Sequence, residues 1–168
     1  PVSVLCLSTG NADGLGKVRM QEMQDSCGSL GISGKALQIL DEKDMQDGFH
    51  DWADDVVSHH VSSFLKERRI DTVLTFDDLG VSGHPNHRSA SRGVRALHAQ
   101  LHRPRGTDDK NVPAKPFDLY MLDSVGLYRK YIGALCLLLQ DSRLEASTCL
   151  DPTACLRALW VHWTQLVW

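Results

Sequence analysis

Two hydrophobic periods alternate along this chain, and that alternation most constrains its fold. Short apolar runs at residues 2–7, 36–40, 72–76 and 117–122 read as strands, with a further run at 144–150. The first three are rich in Val, Ile and Leu, as strands covered on both faces tend to be. Between them lie stripes at helical spacing: Met20, Met23, Cys27 and Leu30; Val57, Val61, Phe64 and Leu65; Ala90, Val94, Leu97 and Leu101. Gly31 is a helix stop, and Asp151-Pro152 opens a last helix with Leu156, Leu159, Trp160, Trp163 and Val167 on one side. Strand and helix in turn predict an α/β domain, a Rossmann-like doubly wound and mostly parallel sheet. At 168 residues the chain reads as one domain, 1–168, interrupted by a polar loop at 103–116.

Composition removes several function classes. The formal net charge is −3 and no long run has one sign, so there is no electrostatic case for nucleic acid. Five widely spaced cysteines without a Cys-x-x-Cys argue against a disulfide framework and a zinc ribbon; reduced, buried thiols fit a cytosol-facing domain. The longest apolar stretch, 131–139, falls far short of the roughly 20 residues of a membrane span.

Ligands of such sheets bind beyond the carboxyl ends of the strands. Two loops are expected there, 8–17 and 77–87. The first fails as a P-loop, because five residues separate Gly10 from Gly16-Lys17 and Val18 follows. Arg19 and Glu22 share a helical face beyond it. They form either a solvated ion pair or, through Arg19, a grip on a substrate's hydroxyls or phosphate. The second loop ends Gly80-Val81-Ser82-Gly83-His84-Pro85-Asn86-His87. Pro85 suits a first helical turn, which puts His84 near the cap and His87 inside the helix. The pair can be two metal ligands, one ligand beside a catalytic acid, or a polar helix start. A catalytic zinc site needs three protein ligands. His98 and His102 have ligand-compatible spacing but read as surface residues, as do His59 and His60, while His50 lies in a polar connection. His162 and Gln165 share one face of the last helix, either exposed or closing a pocket.

The segment Thr75-Phe76-Asp77-x-x-Gly80-Val81-Ser82-Gly83-His84-x-Asn86-His87 resembles the signature of the LmbE-like, or PIG-L, deacetylase family. It is most similar to the branch of N-acetylglucosaminyl-phosphatidylinositol de-N-acetylases of glycosylphosphatidylinositol (GPI) anchor biosynthesis. Residues 5–11, Gly14, Gly16, Arg19, Glu22 and 30–32 are similar to that family's second strand and following helix. Asp123-Ser124-Val125 with Arg129-Lys130-Tyr131, and His162-x-Thr164-Gln165, match its later segments. The resemblance implies zinc-dependent amide hydrolysis at the endoplasmic reticulum membrane, on its cytoplasmic face, with a membrane-borne lipid as substrate. It implies His87 as a zinc ligand and His84 as the group acting on the tetrahedral intermediate. It further implies Arg19, His162 and Gln165 as substrate-binding residues, and Asp77 as a loop organiser.

One departure stands out. The family's His-Pro-Asp-Asp segment, which carries its other two zinc ligands and its general base, does not occur here. The expectation is a chain that lacks the family's first strand, exposes a sheet edge, holds Zn2+ or another divalent metal weakly, and is inactive as it stands. A soluble LmbE-like deacetylase of another N-acetylglucosamine conjugate is the neighbouring reading. Asn86, where those relatives more often have Asp, speaks against it. A sugar-binding pseudoenzyme is the reading from another class.

Overall fold

The computed structural model describes residues 1–32, 34–103, 115–124, 126 and 152–165. The strand expected at 144–150, Asp151, the Arg129-Lys130-Tyr131 segment and Val167 lie outside them, as does nearly all of the 103–116 loop.

The described strands form two separate two-stranded parallel sheets, each a β-α-β unit, and not one doubly wound sheet. Strand β1 (Val4–Cys6) runs through helix α1 (Gly16–Ser29) to β2 (Leu37–Ile39), and the two strands pair in parallel with Val4 opposite Leu37. Strand β3 (Thr72–Phe76) continues into a short helical turn, α3 (Gly80–Gly83), and helix α4 (Pro85–Leu101), then pairs in parallel with β4 (Asp118–Leu122). Helix α2 (Asp54–Arg68) joins the units, and helix α5 (Pro152–Val161) follows later in the chain. The sequence runs at 72–76 and 117–122 correspond closely to β3 and β4, whereas 2–7 and 36–40 shorten to three-residue strands. Ala36 closes a 3-10 turn, Gly34–Ala36, instead of entering the strand.

A single layer, α2 against α4, gathers strands β1, β3 and β4. Met45, Trp52, Val57, Val61 and Leu65 meet Val94, Leu97 and Leu101 in one cluster, with Leu40 and Phe117 beside them. Leu5, Val73 and Leu119 lean on it from β1, β3 and β4. Asp54 and Asp55 in the first turn of α2, and Lys66 and Arg68 in its last, suit the helix dipole. The two helices approach closely at Gly93, where a Cβ would overlap the side chain of Val57.

Two expectations about faces need correction. Helix α5 does not bury its Leu/Trp side: Leu156, Leu159, Trp160 and Trp163 are exposed. The helix packs on α1, and its least exposed positions are Ala154, Ala158 and Val161, one turn apart. Small residues admit a neighbouring helix closely, which leaves the bulky ones outside the seam. The stripe on α1 narrows similarly to Cys27, with Leu30 exposed beyond the helix end. On β3 and β4 the register sets Leu74 beside Tyr120 and Phe76 beside Leu122 on the face away from the core; Leu74, Tyr120 and Leu122 are exposed.

Candidate functional site

The histidine loop begins where β3 ends. Asp77 receives Leu79 N–H at 3.1 Å and Gly80 N–H at 2.9 Å on Oδ1. Ser124, just past β4, donates its backbone N–H to Oδ2 at 2.7 Å and its hydroxyl to Oδ1 at 2.6 Å. One carboxylate therefore ties the carboxyl ends of two adjacent strands together. The Ser124 hydroxyl also accepts the N–H of Val81 at 2.8 Å. Val81 needs that support, because its φ of 65° is strained for a β-branched residue. Gly80 has φ 57°, and a Cβ there would lie 2.8 Å from His87 Cβ, so only glycine fits.

Burial would raise the pKa of Asp77, but the hydrogen bonds from Ser124, Gly80 and Leu79 outweigh it and hold the carboxyl below its ordinary value. A folded-state pKa below the unfolded one stabilises the protein above the unfolded value, near pH 4. That contribution is lost as pH falls through the lower, folded value. Asp77→Asn is expected to remove this acid sensitivity and to cost about 1–3 kcal/mol, because one amide position would face Ser124 with a donor where an acceptor is needed. Urea titrations of both proteins at pH 7 and across the acid range measure it; equal stability throughout would show that Asp77 does not tie the strand ends together.

The two histidines receive opposite proton placements from the backbone. His84 is the N-cap of α4, and its Nδ1 accepts Asn86 N–H at 3.3 Å. A neutral His84 then carries its proton on Nε2 and donates from there. His87 Nδ1 lies 3.1 Å from Gly80 O, which can only accept. His87 therefore donates from Nδ1 and leaves a lone pair on Nε2. The rings are 5.3 Å apart, and Phe76 stacks on His87 at 4.6 Å with an interplanar angle of 17°.

The loop at 46–52, read from sequence as a polar connection, proves to be the seam of the site. Asn86 is 3% exposed; its Oδ1 accepts Gly48 N–H at 3.2 Å and its Nδ2 donates to His50 O at 3.0 Å. Only an amide can do both. Phe49, between those bonds, stands perpendicular to the His84 ring at 5.9 Å. On the other side Asp47 lies 3.7 Å from Arg19. Nothing in the local residue pattern announces these contacts, since they join residues some 38 positions apart.

Arg19 is largely occupied by its own loop. Its guanidinium donates to Gly10 O and pairs with Asp13 at 2.7 Å. One turn on, Glu22 accepts Thr164 N–H at 3.1 Å and its hydroxyl at 2.6 Å. Burial opposes ionisation of Glu22, but Thr164, with His162 and Arg19 nearby, holds its carboxyl below the ordinary range. Arg19, Glu22, His162 and Thr164 thus share one locality, linked to the histidine pair by the 46–52 loop. Gln165 is exposed beside them. His98 and His102 pack on each other, with ring centroids 4.1 Å apart. Among the described residues, no group of three His, Cys, Asp or Glu side chains could hold a metal ion.

A parallel α/β scaffold with a histidine pair beyond its strand ends puts the candidate site where ligands of such folds bind. A family profile described as "PIG-L: GlcNAc-PI de-N-acetylase" matches residues 1–98, and the chain belongs to that family. It is 32% identical to a probable N-acetylglucosaminyl-phosphatidylinositol de-N-acetylase of Dictyostelium discoideum, over 99% of this chain and 74% of the relative. It is 36% identical to the probable enzyme of that name in Schizosaccharomyces pombe, over 80% of this chain and 49% of the relative. The N-acetylglucosaminyl-phosphatidylinositol de-N-acetylase of Bos taurus is 34% identical over 98% of this chain and 63% of its own length. The chain thus spans between half and three quarters of these relatives. No solved structure gives a significant match.

Proposed function

We propose that this chain carries the catalytic histidine loop of a de-N-acetylase that removes acetate from N-acetylglucosaminyl-phosphatidylinositol in GPI anchor biosynthesis. The observation that carries the reading is the contrast in backbone partners, Asn86 N–H on His84 Nδ1 and Gly80 O on His87 Nδ1, in a chain whose relatives are named for that reaction. His84 offers an N–H from Nε2 to the acetyl oxygen as negative charge develops there. Arg19, His162 and Gln165 face the substrate's hydroxyls, with Glu22 and Asp47 setting the position of Arg19. With a lipid substrate the work is proposed to lie at a membrane surface, the cytoplasmic face of the endoplasmic reticulum. Among the described residues no helix is long and apolar enough to cross a membrane.

His87 offers one lone pair to a divalent metal, for which Zn2+ is the proposed ion. The described residues do not complete a centre around it. The sheet supports the same view. β1 and β3 each pair on one side only among the described residues, and both lean on the α2–α4 layer. A strand between them would join the two units into one doubly wound sheet.

Two assays test this. A natural chain carrying these residues together with a His-Pro-Asp-Asp segment should release acetate from N-acetylglucosaminyl-phosphatidylinositol and leave a free amine. No acetate would sink the activity. The 168-residue chain alone should hold well under one zinc per chain by elemental analysis, and a full equivalent would refute the incomplete centre. A non-catalytic sugar-binding role is the second reading, favoured by the lack of a three-ligand group among the described residues; sugar binding by the longer chain without acetate release would select it.

A further inference from the structure

We propose that Phe49 is a substrate-contacting residue, the aromatic platform on which the pyranose ring of the glucosamine lies beside His84. This rests on the substrate class assigned above and adds a residue to it.

Phe49 is 87% exposed, the most exposed large hydrophobic side chain described. A phenyl ring left in water forgoes the stabilisation that burial gives, so its position calls for a reason. It does not stand on a loose tip. Asn86, buried at the start of α4, bonds the backbone on both sides of it, at Gly48 and at His50. The loop is pinned again at Trp52, whose backbone N–H donates to Ser89 Oγ at 3.0 Å and whose indole N–H donates to Gln46 O at 2.9 Å. Trp52 is 5% exposed and Ser89 fully buried. A buried amide, a buried hydroxyl and a buried indole thus hold a single exposed ring 5.9 Å from the imidazole assigned to the chemistry.

The C–H face of a sugar packs well on an aromatic face, and rigid aromatic contacts lose little entropy on binding. A lipid surface is the other candidate occupant, and charge disfavours it. Asp41, Glu42, Asp44, Asp47 and Asp51 surround the ring in sequence, against Lys43 as the one lysine or arginine from 41 to 51. An anionic phospholipid surface repels such a loop, while an uncharged pyranose does not.

The test uses the water-soluble glycan N-acetylglucosaminyl-inositol, titrated calorimetrically into the full 168-residue chain. Phe49→Ala should weaken binding about tenfold, the order expected for covering one phenyl ring, while Phe49→Trp stays within about twofold of wild type. The melting temperature of Phe49→Ala should be unchanged, since the ring is exposed. In wild type, magnetisation transfer between the glycan and the Phe49 ring protons should be seen by NMR. Glycan affinity unchanged in Phe49→Ala, or no transfer to the ring, overturns the platform and leaves the substrate class standing. A wild-type chain that fails to bind the glycan at all overturns both. Loss of binding to sugar-free phosphatidylinositol vesicles in Phe49→Ala, with glycan affinity intact, overturns the platform in favour of lipid contact.

Discussion

Replacing His87 with alanine is expected to remove zinc and acetate release together, whereas His84→Ala should keep the metal and lower kcat by about 10²–10⁴-fold. The asymmetry follows from which nitrogen each backbone partner engages. Gly80 O takes the N–H of His87 and frees a lone pair suited to a metal. Asn86 N–H takes the lone pair of His84 and frees a donor suited to an oxyanion. Because His84 is also the cap of α4, its loss should cost about 1 kcal/mol of stability, far less than its catalytic effect. Both variants belong in a natural chain with the His-Pro-Asp-Asp segment, assayed for zinc by elemental analysis and for acetate. Normal zinc in His87→Ala, or full zinc loss in His84→Ala, would reverse the assignment.

Gly93→Ala is expected to destabilise the chain by about 2 kcal/mol and to lower its melting temperature by roughly 4–8 °C. Helix propensity alone favours alanine by about 1 kcal/mol. Packing wins, because the new methyl would overlap Val57 and come within 3.2 Å of Asp54 O. The Ser58 hydroxyl lies 2.6 Å from Asp54 O and 2.8 Å from Gly93 O and shares its one hydrogen between these two carbonyls across the seam. Gly28→Ala on α1 is the control: nothing lies within 4 Å of its Cβ, so it should be neutral or stabilising. Adding Val57→Ala to Gly93→Ala should cost less than the two separate losses combined, since the smaller side chain relieves the overlap. Equal melting temperatures for Gly93→Ala and wild type would show that α2 and α4 yield more easily than this contact implies.

Local rules made much of this fold legible. The stripes of α2 and α4 lie in the core as their spacing requires, and Pro85 placed His84 at a cap and His87 within the helix. Strand positions followed from apolar runs, although strand length did not, because a run cannot show where its neighbour stops pairing. Helix α5 misled for a related reason. Its Leu and Trp residues form a clear stripe, but the neighbour it meets selects the small-residue face. At the site, the histidine loop carried its own signature. Asn86 and Ser124 fell in matching segments, but their roles did not show there, nor did the 46–52 loop, because those roles are hydrogen bonds to distant partners that no spacing rule encodes.

The bond network at Asp77 also predicts an order of events for the folding chain. Its partner Ser124 lies 47 residues further on, past the whole α4 crossover. Closing so long a loop costs entropy that only later contacts return. A nascent chain can wind α4 and pack it on α2 while Val81 still lacks its hydroxyl partner. The strained turn that aims His87 is completed only when β4 docks. The scaffold thus matures ahead of its chemistry, and premature termination before residue 118 would leave helices able to pair around a histidine loop that has not yet set.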